Sequence, residues 1–523
     1  MTHRQKAISV LTMNTLAFTV CFACWMINGV LVTFLSEHQV YRWTDSQIGW
    51  LIGIPVLTGS LFRLPVGIWT DRYGGRIVFG MLMLFSAVPM YLLSTADSYT
   101  EFLAASLGFG VVGASFAVGI AYTSVWFPPE KQGLALGIFG AGNAGAALTS
   151  MGAPMVLSMI THHGENIEAW RALPKFYAAA LIVMTIIFFL FTFDKRVDET
   201  GVKKLTQRLE PLKDIRVWRF GLYYFFVFGG FVALSQWLIP YYVNVYAMTV
   251  GTAGFMAAIF SLPSGLIRAF GGYLSDKWGA RKVMYWVLSS CLICCAMLIV
   301  PRMDIESPGR GVIARRNGTV TAITDSSIQV DDRIYPLMTN AIKDNKKDLD
   351  RAGTLVLPTF EYWQVPVVKV GETVKRKQLL ARGVTHVYFQ ANVWIFTILV
   401  FIVGFMMGIG KAAVYKHIPH YFPKDVGVVG GIVGVIGGLG GFVCPIIFGY
   451  MLDATGIWTT SWMFFTLLAG VCLWWMHVVV QRLMHREVPS LMQRIENSST
   501  NEIKDGHLVT SAIQPGKVPE PNR

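Results

Sequence analysis

Three cationic side chains stand inside long apolar runs: Arg63 in Ser60-Leu61-Phe62-Arg63-Leu64-Pro65, Arg268 in Leu266-Ile267-Arg268-Ala269-Phe270, and Lys411 in Gly408-Ile409-Gly410-Lys411-Ala412. Ionisable residues in such surroundings are costly and mark pathways or sites. Arg63 and Arg268 are separated by 205 residues, an interval that recurs below. No Asp or Glu accompanies them; Asp71 and Asp276 stand at the ends of their runs. Two guanidiniums without a carboxylate are an uncompensated charge that a small anion would resolve. Their planar donor forks suit a planar oxyanion, whereas Lys411 is a point charge. For Lys411 an anion or proton relay and a snorkelling helix-end lysine both stand open. Phe116, Tyr122, Tyr223, Tyr224 and Phe225 are candidates to wall a narrow site; Tyr224 and Phe116 are retained, since aromatics at helical spacing mostly serve packing. Asn143 carries an amide that needs a partner in an otherwise small and apolar stretch. No metal-ligand cluster, triad-like arrangement or phosphate loop is recognisable, so no enzyme, no catalytic residue, no metal and no cofactor is expected.

Elements that would carry these residues follow from composition. The chain has 523 residues, of which 54% are hydrophobic and 14% charged. Soluble domains carry about 25% charged residues, so most of this chain belongs in a lipid bilayer. Twelve runs of spanning length are legible, six within 9–193, three within 218–301 and three within 391–481. The net charge of +13 fits loops facing an anionic leaflet, and no basic stripe with interleaved aromatics suggests nucleic acid. All seven cysteines lie inside apolar runs and read as packing residues. Arg72, Arg76, Lys277, Arg281, Lys282 and the basic central loop fall on one side, which places that loop and both termini in the cytoplasm.

A repeat orders the runs. Gly67-x-x-x-Asp71-Arg72-x-Gly74-x-Arg76 returns as Gly272-x-x-x-Asp276-Lys277-x-Gly279-x-Arg281, every position 205 residues on. Later pairs, such as Phe127-Pro128-Pro129-Glu130 with Phe422-Pro423-Lys424-Asp425, are offset by 295. The jump marks an insertion of about 90 residues between the ninth and tenth runs, and a duplicated six-plus-six core is the reading that fits. The division is 1–195 for the first half, 196–217 for a cytoplasmic linker, 218–301 with 388–483 for the second half, 302–387 for the insert and 484–523 for a cytoplasmic tail. The insert is polar and β-like, with a hairpin expected at Asn317-Gly318 and a second pair of strands about Gly371-Glu372. Its 14 Lys and Arg against 10 Asp and Glu do not offend the positive-inside rule on the far side, because the rule governs short loops. In the repeated loops, glycines allow close helix ends, and the Asp caps a helix or pairs with a basic residue across the halves, holding one conformational state. Asp71, Arg72, Arg76, Asp276, Lys277 and Arg281 are therefore candidate gating residues. So are Gly140, Gly142, Gly434 and Gly437, from two glycine-rich helices whose small faces permit sliding.

These features together resemble the nitrate/nitrite porter family of the major facilitator superfamily. The resemblance is carried by Arg63-Leu64-Pro65-Val66-Gly67 through Asp71-Arg72-Tyr73-Gly74-Gly75-Arg76, by Gly137 to Gly145, by Arg268 with Gly271-Gly272, and by the run Gly430 to Gly441. It implies an all-α membrane protein of twelve transmembrane helices in two pseudo-symmetric halves, here with a small β-rich periplasmic insert between helices 9 and 10. It also implies transport of nitrate or nitrite across the inner membrane by alternating access, with Arg63 and Arg268 clamping the anion and Asn143, Tyr224 and Phe116 beside it. Gly410 to Lys416 and the Gly140-to-Gly145 form look more like the branch that couples nitrate to protons, so nitrate/proton symport is the leading expectation and nitrate/nitrite antiport the alternative. A third reading, of another class, is a non-transporting sensor or assembly protein with a periplasmic partner docked on 302–387.

Overall fold

A backbone in hydrocarbon must satisfy its own hydrogen bonds, and a helix does so within one segment. The computed structural model describes residues 2–195, 210–300, 303–338, 358–422 and 426–487. Within them, eleven helices are long and apolar enough to cross a membrane, and a bent pair makes a twelfth. They are α1 (His3–Glu37), α2 (Asp45–Tyr73), α3 (Gly75–Thr95), α4 (Tyr99–Trp126), α5 (Lys131–Ile160), α6 (Ile167–Phe191), α7 (Ile215–Tyr246), α8 (Val250–Leu266 with Arg268–Trp278), α9 (Ala280–Met297), α10 (Val393–Ile418), α11 (Val428–Thr455) and α12 (Thr460–Arg482). Thr2 and Thr44 start α1 and α2 with reciprocal capping boxes to Gln5 and Gln47. Large apolar side chains such as Phe85, Val88, Met155 and Leu190 point outward, while Asn14, Asn28, Asn143 and Gln236 are buried. This inside-out arrangement suits a lipid surround. Asn28 donates to the Leu51 carbonyl (2.6 Å) and to Ser106 Oγ (2.8 Å), tying α1 to α2 and α4.

The chain forms two compact units, Met1–Gly470 and Val471–Arg523. The first holds α1 to α11 and all the strands. The second begins inside α12, and its described part is helical to Glu487. Residues 196–209 of the linker, Pro423-Lys424-Asp425 of the later repeat and 488–523 of the tail lie outside the described residues.

The sequence repeat is also a backbone repeat. In α2 the helix breaks at Phe62 (φ −69°, ψ −12°) and resumes at Arg63; in α8 it breaks at Ile267 (φ −68°, ψ −9°) and resumes at Arg268. The two segments of α8 meet at 47°. One helical segment later, Gly74 (φ 88°) and Gly279 (φ 86°) turn the chain into α3 and α9. That left-handed conformation is one a side chain strains against, so glycine recurs there.

Among the described residues, seven strands lie between α9 and α10: β1 (Met303–Ile313), β2 (Gly318–Thr324), β3 (Ser327–Val330), β4 (Arg333–Pro336), β5 (Thr359–Pro366), β6 (Thr373–Val374) and β7 (Leu379–Phe389). They make a sheet in the order β1-β7-β5 and another in the order β4-β3-β2-β6. The last strand runs two residues beyond the boundary drawn at 387. The hairpin expected at Asn317-Gly318 does not form. β1 instead pairs with β7, from Met303 opposite Phe389, and β2 pairs with β3 through a turn at Asp325-Ser326. The runs beside Gly371-Glu372 do meet: Pro366 stands opposite Ala381 in the β5–β7 ladder, and the Val367 amide donates to the Leu380 carbonyl at 2.9 Å, while β6 pairs with β2. Asn317 has another task, its side chain accepting from the Arg376 amide at 2.7 Å. Gly318 is small because a Cβ there would lie 2.2 Å from Asp331 Oδ2.

Candidate anion site

Helix breaks bring the two arginines to one ring. Arg63 and Arg268 each open the lower segment of a broken helix, and their guanidinium carbons lie 5.5 and 5.1 Å from the centre of Phe116 in α4. Arg63 also lies against Phe228 (5.0 Å) and Trp25 (5.8 Å), and Arg268 against Tyr415 (5.7 Å). Aromatic faces partly offset a buried guanidinium, by about 0.5–2 kcal/mol each. One Arg63 nitrogen donates to the Gly434 carbonyl at 2.5 Å. Its Nε and Nη2, and Nη1 of Arg268, are buried without a hydrogen-bond partner among the described residues. The ion pairs described elsewhere in the chain include neither arginine.

Tyr224 completes one wall, stacked on Phe228 (5.0 Å) and edge-on to Tyr415 (4.9 Å). It sits where α7 changes register, immediately before a π-helical turn over Phe225–Gly229. Such turns are uncommon and recur at functional sites. Asn143 lies in a 3-10 segment, Ala141–Ala144, that interrupts α5 one turn beyond Gly140. It is fully buried, and neither its amide nitrogen nor its oxygen has a partner among the described residues. Lys411 is fully buried too, its Nζ 3.4 Å from the centre of the Phe231 ring.

Two of the five aromatic candidates, Phe116 and Tyr224, thus meet the arginines. Tyr122 does not: it packs on Gly75 and its hydroxyl donates to the Phe193 carbonyl. Tyr223 lies near Arg219 at the start of α7, and Phe225 packs on Gly440. Tyr415, Phe228, Trp25 and Phe231 were not singled out from the sequence. Tyr415 and Phe228 each follow a chosen residue by four, Lys411 and Tyr224, and that spacing was the available signal.

The candidate gating glycines are seats for these side chains. A Cβ on Gly437 would lie 2.1 Å from the Tyr224 ring, on Gly434 3.0 Å from the Tyr415 hydroxyl, on Gly140 3.3 Å from Arg268 Cδ, and on Gly142 2.5 Å from Phe18. The charged loops behave differently. Arg76 pairs with Asp194 (3.4 Å) and donates to the Phe189 carbonyl (2.7 Å). Asp276 pairs with Lys416, and Arg281 donates to the Tyr421 hydroxyl (3.2 Å). Arg72 and Lys277 lie over the neighbouring rings of Tyr73 and Trp278. These ion pairs and hydrogen bonds join helices of the same half.

Between the halves, contact is tightest at one end. At the end of the bundle nearest the strands, a Cβ on Gly49 would lie 2.4 Å from the Pro445 carbonyl oxygen, on Gly53 2.6 Å from that of Phe442, and on Gly254 2.0 Å from that of Ser150. There the Asp453 carboxylate of α11 accepts from the backbone amides of Asp45 (3.1 Å) and Ser46 (2.9 Å), capping α2 from across the interface. At the opposite end, Gly67, Gly133, Gly272 and Gly431 of α2, α5, α8 and α11 face nothing within 4 Å. The halves are therefore packed most tightly on the strand side and more loosely beyond the arginines.

A family model described as the Major Facilitator Superfamily matches residues 13–314 and 379–503, leaving 315–378 unmatched. "Probable nitrate/nitrite antiporter NarK1" of Thermus thermophilus is 37% identical over 498 residues, covering 94% of this chain and 96% of that one. "Probable nitrate transporter NarT" of Staphylococcus carnosus is 28% identical (90% and 97% covered), and "Nitrite extrusion protein" of Bacillus subtilis 24% (91% and 96%). Among solved structures, a bacterial homologue of the lysosomal transporter Spinster, inward-facing and occupied, superposes with a TM-score of 0.60 at 15% identity (90% and 96% covered). The nucleoside transporter NupG gives 0.56 at 10% (91% and 99%).

Proposed function

The chain belongs to the nitrate/nitrite porter family of the major facilitator superfamily, and from that premise we propose that it carries nitrate, and nitrite as a second substrate, across the inner membrane by alternating access. One observation carries the reading: two symmetry-related guanidiniums meet at Phe116 with buried donors left over and no described carboxylate beside them. A planar oxyanion held by both forks would satisfy those donors, with Tyr224 and Asn143 adding polar contacts. The loop charges support cytoplasmic termini and a periplasmic β insert between helices 9 and 10. On that orientation the tight strand-side packing and the looser far end support a state closed to the periplasm and facing the cytoplasm. Closing the Gly67, Gly133, Gly272 and Gly431 faces while parting Gly49 from Pro445 would expose the same arginines to the periplasm.

Coupling to protons is the leading mode, and exchange against nitrite is the second reading, favoured by the name of the Thermus relative. The test is nitrate uptake into proteoliposomes. Arg63→Lys and Arg268→Lys should each lose most transport, at least tenfold, because a point charge does not reproduce the fork. Full activity in both sinks the clamp. Uptake driven by a pH gradient with no internal nitrite supports symport; uptake only with internal nitrite supports exchange.

A further inference from the structure

The anion clamp leaves Lys411 unexplained. Its ammonium lies over Phe231, which stacks on Phe22 of α1 (6.4 Å) and Phe260 of α8 (5.8 Å). Helices α7 and α9 close on α10 at this level: a Cβ on Gly410 would lie 2.7 Å from Val227 and 2.9 Å from Val287. Among the described residues, the charged group acting on Lys411 is Arg268 of α8, another cation. Tyr415, one turn along α10, lies on Arg268, and Tyr224 of α7 lies on Tyr415. Cys291 of α9 is turned to the Val403 carbonyl. Nζ has no hydrogen-bond partner among the described residues, and it faces rings rather than a carboxylate.

An ammonium in that place is unfavourable alone and more so beside Arg268. An anion held by Arg63 and Arg268 supplies the missing opposite charge. Proton and anion therefore strengthen each other's binding, and by linkage each does so equally. We infer that Lys411 carries the coupling proton. With the site open to the periplasm, the Nζ lone pair takes a proton from water as the anion settles on the arginines. With the site open to the cytoplasm, departure of the anion leaves the ammonium uncompensated, and the N–H bond breaks to return the proton to water. The anion is unchanged, and one proton crosses with it through this group. Exchange of one anion for another needs no change at Lys411.

This rests on the symport reading, and proteoliposomes of the full chain separate the two. Wild type should accumulate labelled nitrate when the outside is made acid; if it does not, symport itself fails and Lys411 has no proton to carry. Given that accumulation, Lys411→Gln, Lys411→Met and Lys411→Arg should lose it, while counterflow of labelled nitrate against unlabelled nitrate persists within about tenfold. Gradient-driven accumulation surviving in Lys411→Gln and Lys411→Met would overturn the inference. So would loss of counterflow in all three variants when each elutes from size exclusion as wild type does, since Lys411 would then serve the anion or the packing.

Discussion

At the residue scale, the offset of 205 made Arg63 and Arg268 legible in the sequence, because duplication repeats a side chain in a place where none is tolerated without use. Their ring partners were not legible in the same way. Phe116 precedes Arg268 by 152 positions and Trp25 precedes Arg63 by 38, and only the packing of helices brings them together. The glycines of α11 read from sequence as a sliding face, yet Gly437 is a seat for Tyr224. Gly437→Ala should cost transport at least tenfold, because the methyl meets a ring that Phe228 and Tyr415 already hold. Gly431→Ala, on the same helix but facing open space in this state, should stay within about threefold. Equal activity of the two in uptake assays would mean that the placement of Tyr224 does not matter.

At the element scale, long apolar windows announce helices, and capping boxes such as Thr44 with Gln47 announce where they start. Breaks inside them are fainter. Nothing local distinguishes Phe62 from Ile267, though both interrupt their helices in the same backbone conformation. The β segment shows the converse error: the Asn317-Gly318 signal is strong locally and loses to the pairing of β1 with β7, more than sixty residues away. Cross-half contacts were equally hidden, above all Asp453 on the first turn of α2. A carboxylate cap is worth about 0.5–2 kcal/mol. Asp453→Ala should therefore raise the population open at the strand end by roughly 2- to 30-fold. The seven native cysteines are buried, so a Gln236→Cys reporter, placed where α7 meets Gly29, can be followed with an impermeant maleimide. Unchanged labelling on removing Asp453 would show that the cap does not hold this state.

At the scale of the whole molecule, scarcity of charge identified a membrane protein, and the repeat identified its symmetry. The change of offset located the added segment. The family model skips 315–378, inside that segment. If the core alone transports, replacing 304–388 with a short Gly-Ser turn should keep uptake within about threefold of wild type. Loss of flux from a variant that still folds and inserts would give the strands a direct part in the cycle. The register explains why so large a deletion should be tolerated: Met303 and Phe389 face each other across one ladder, and directly opposed residues lie about 5 Å apart. That clasp also bears on how the protein is made. Helices α9 and α10 can enter the bilayer as a simple pair while the strands between them are still unfolded. The strands can then fold afterwards against one another, without threading through the bundle or waiting for it to close.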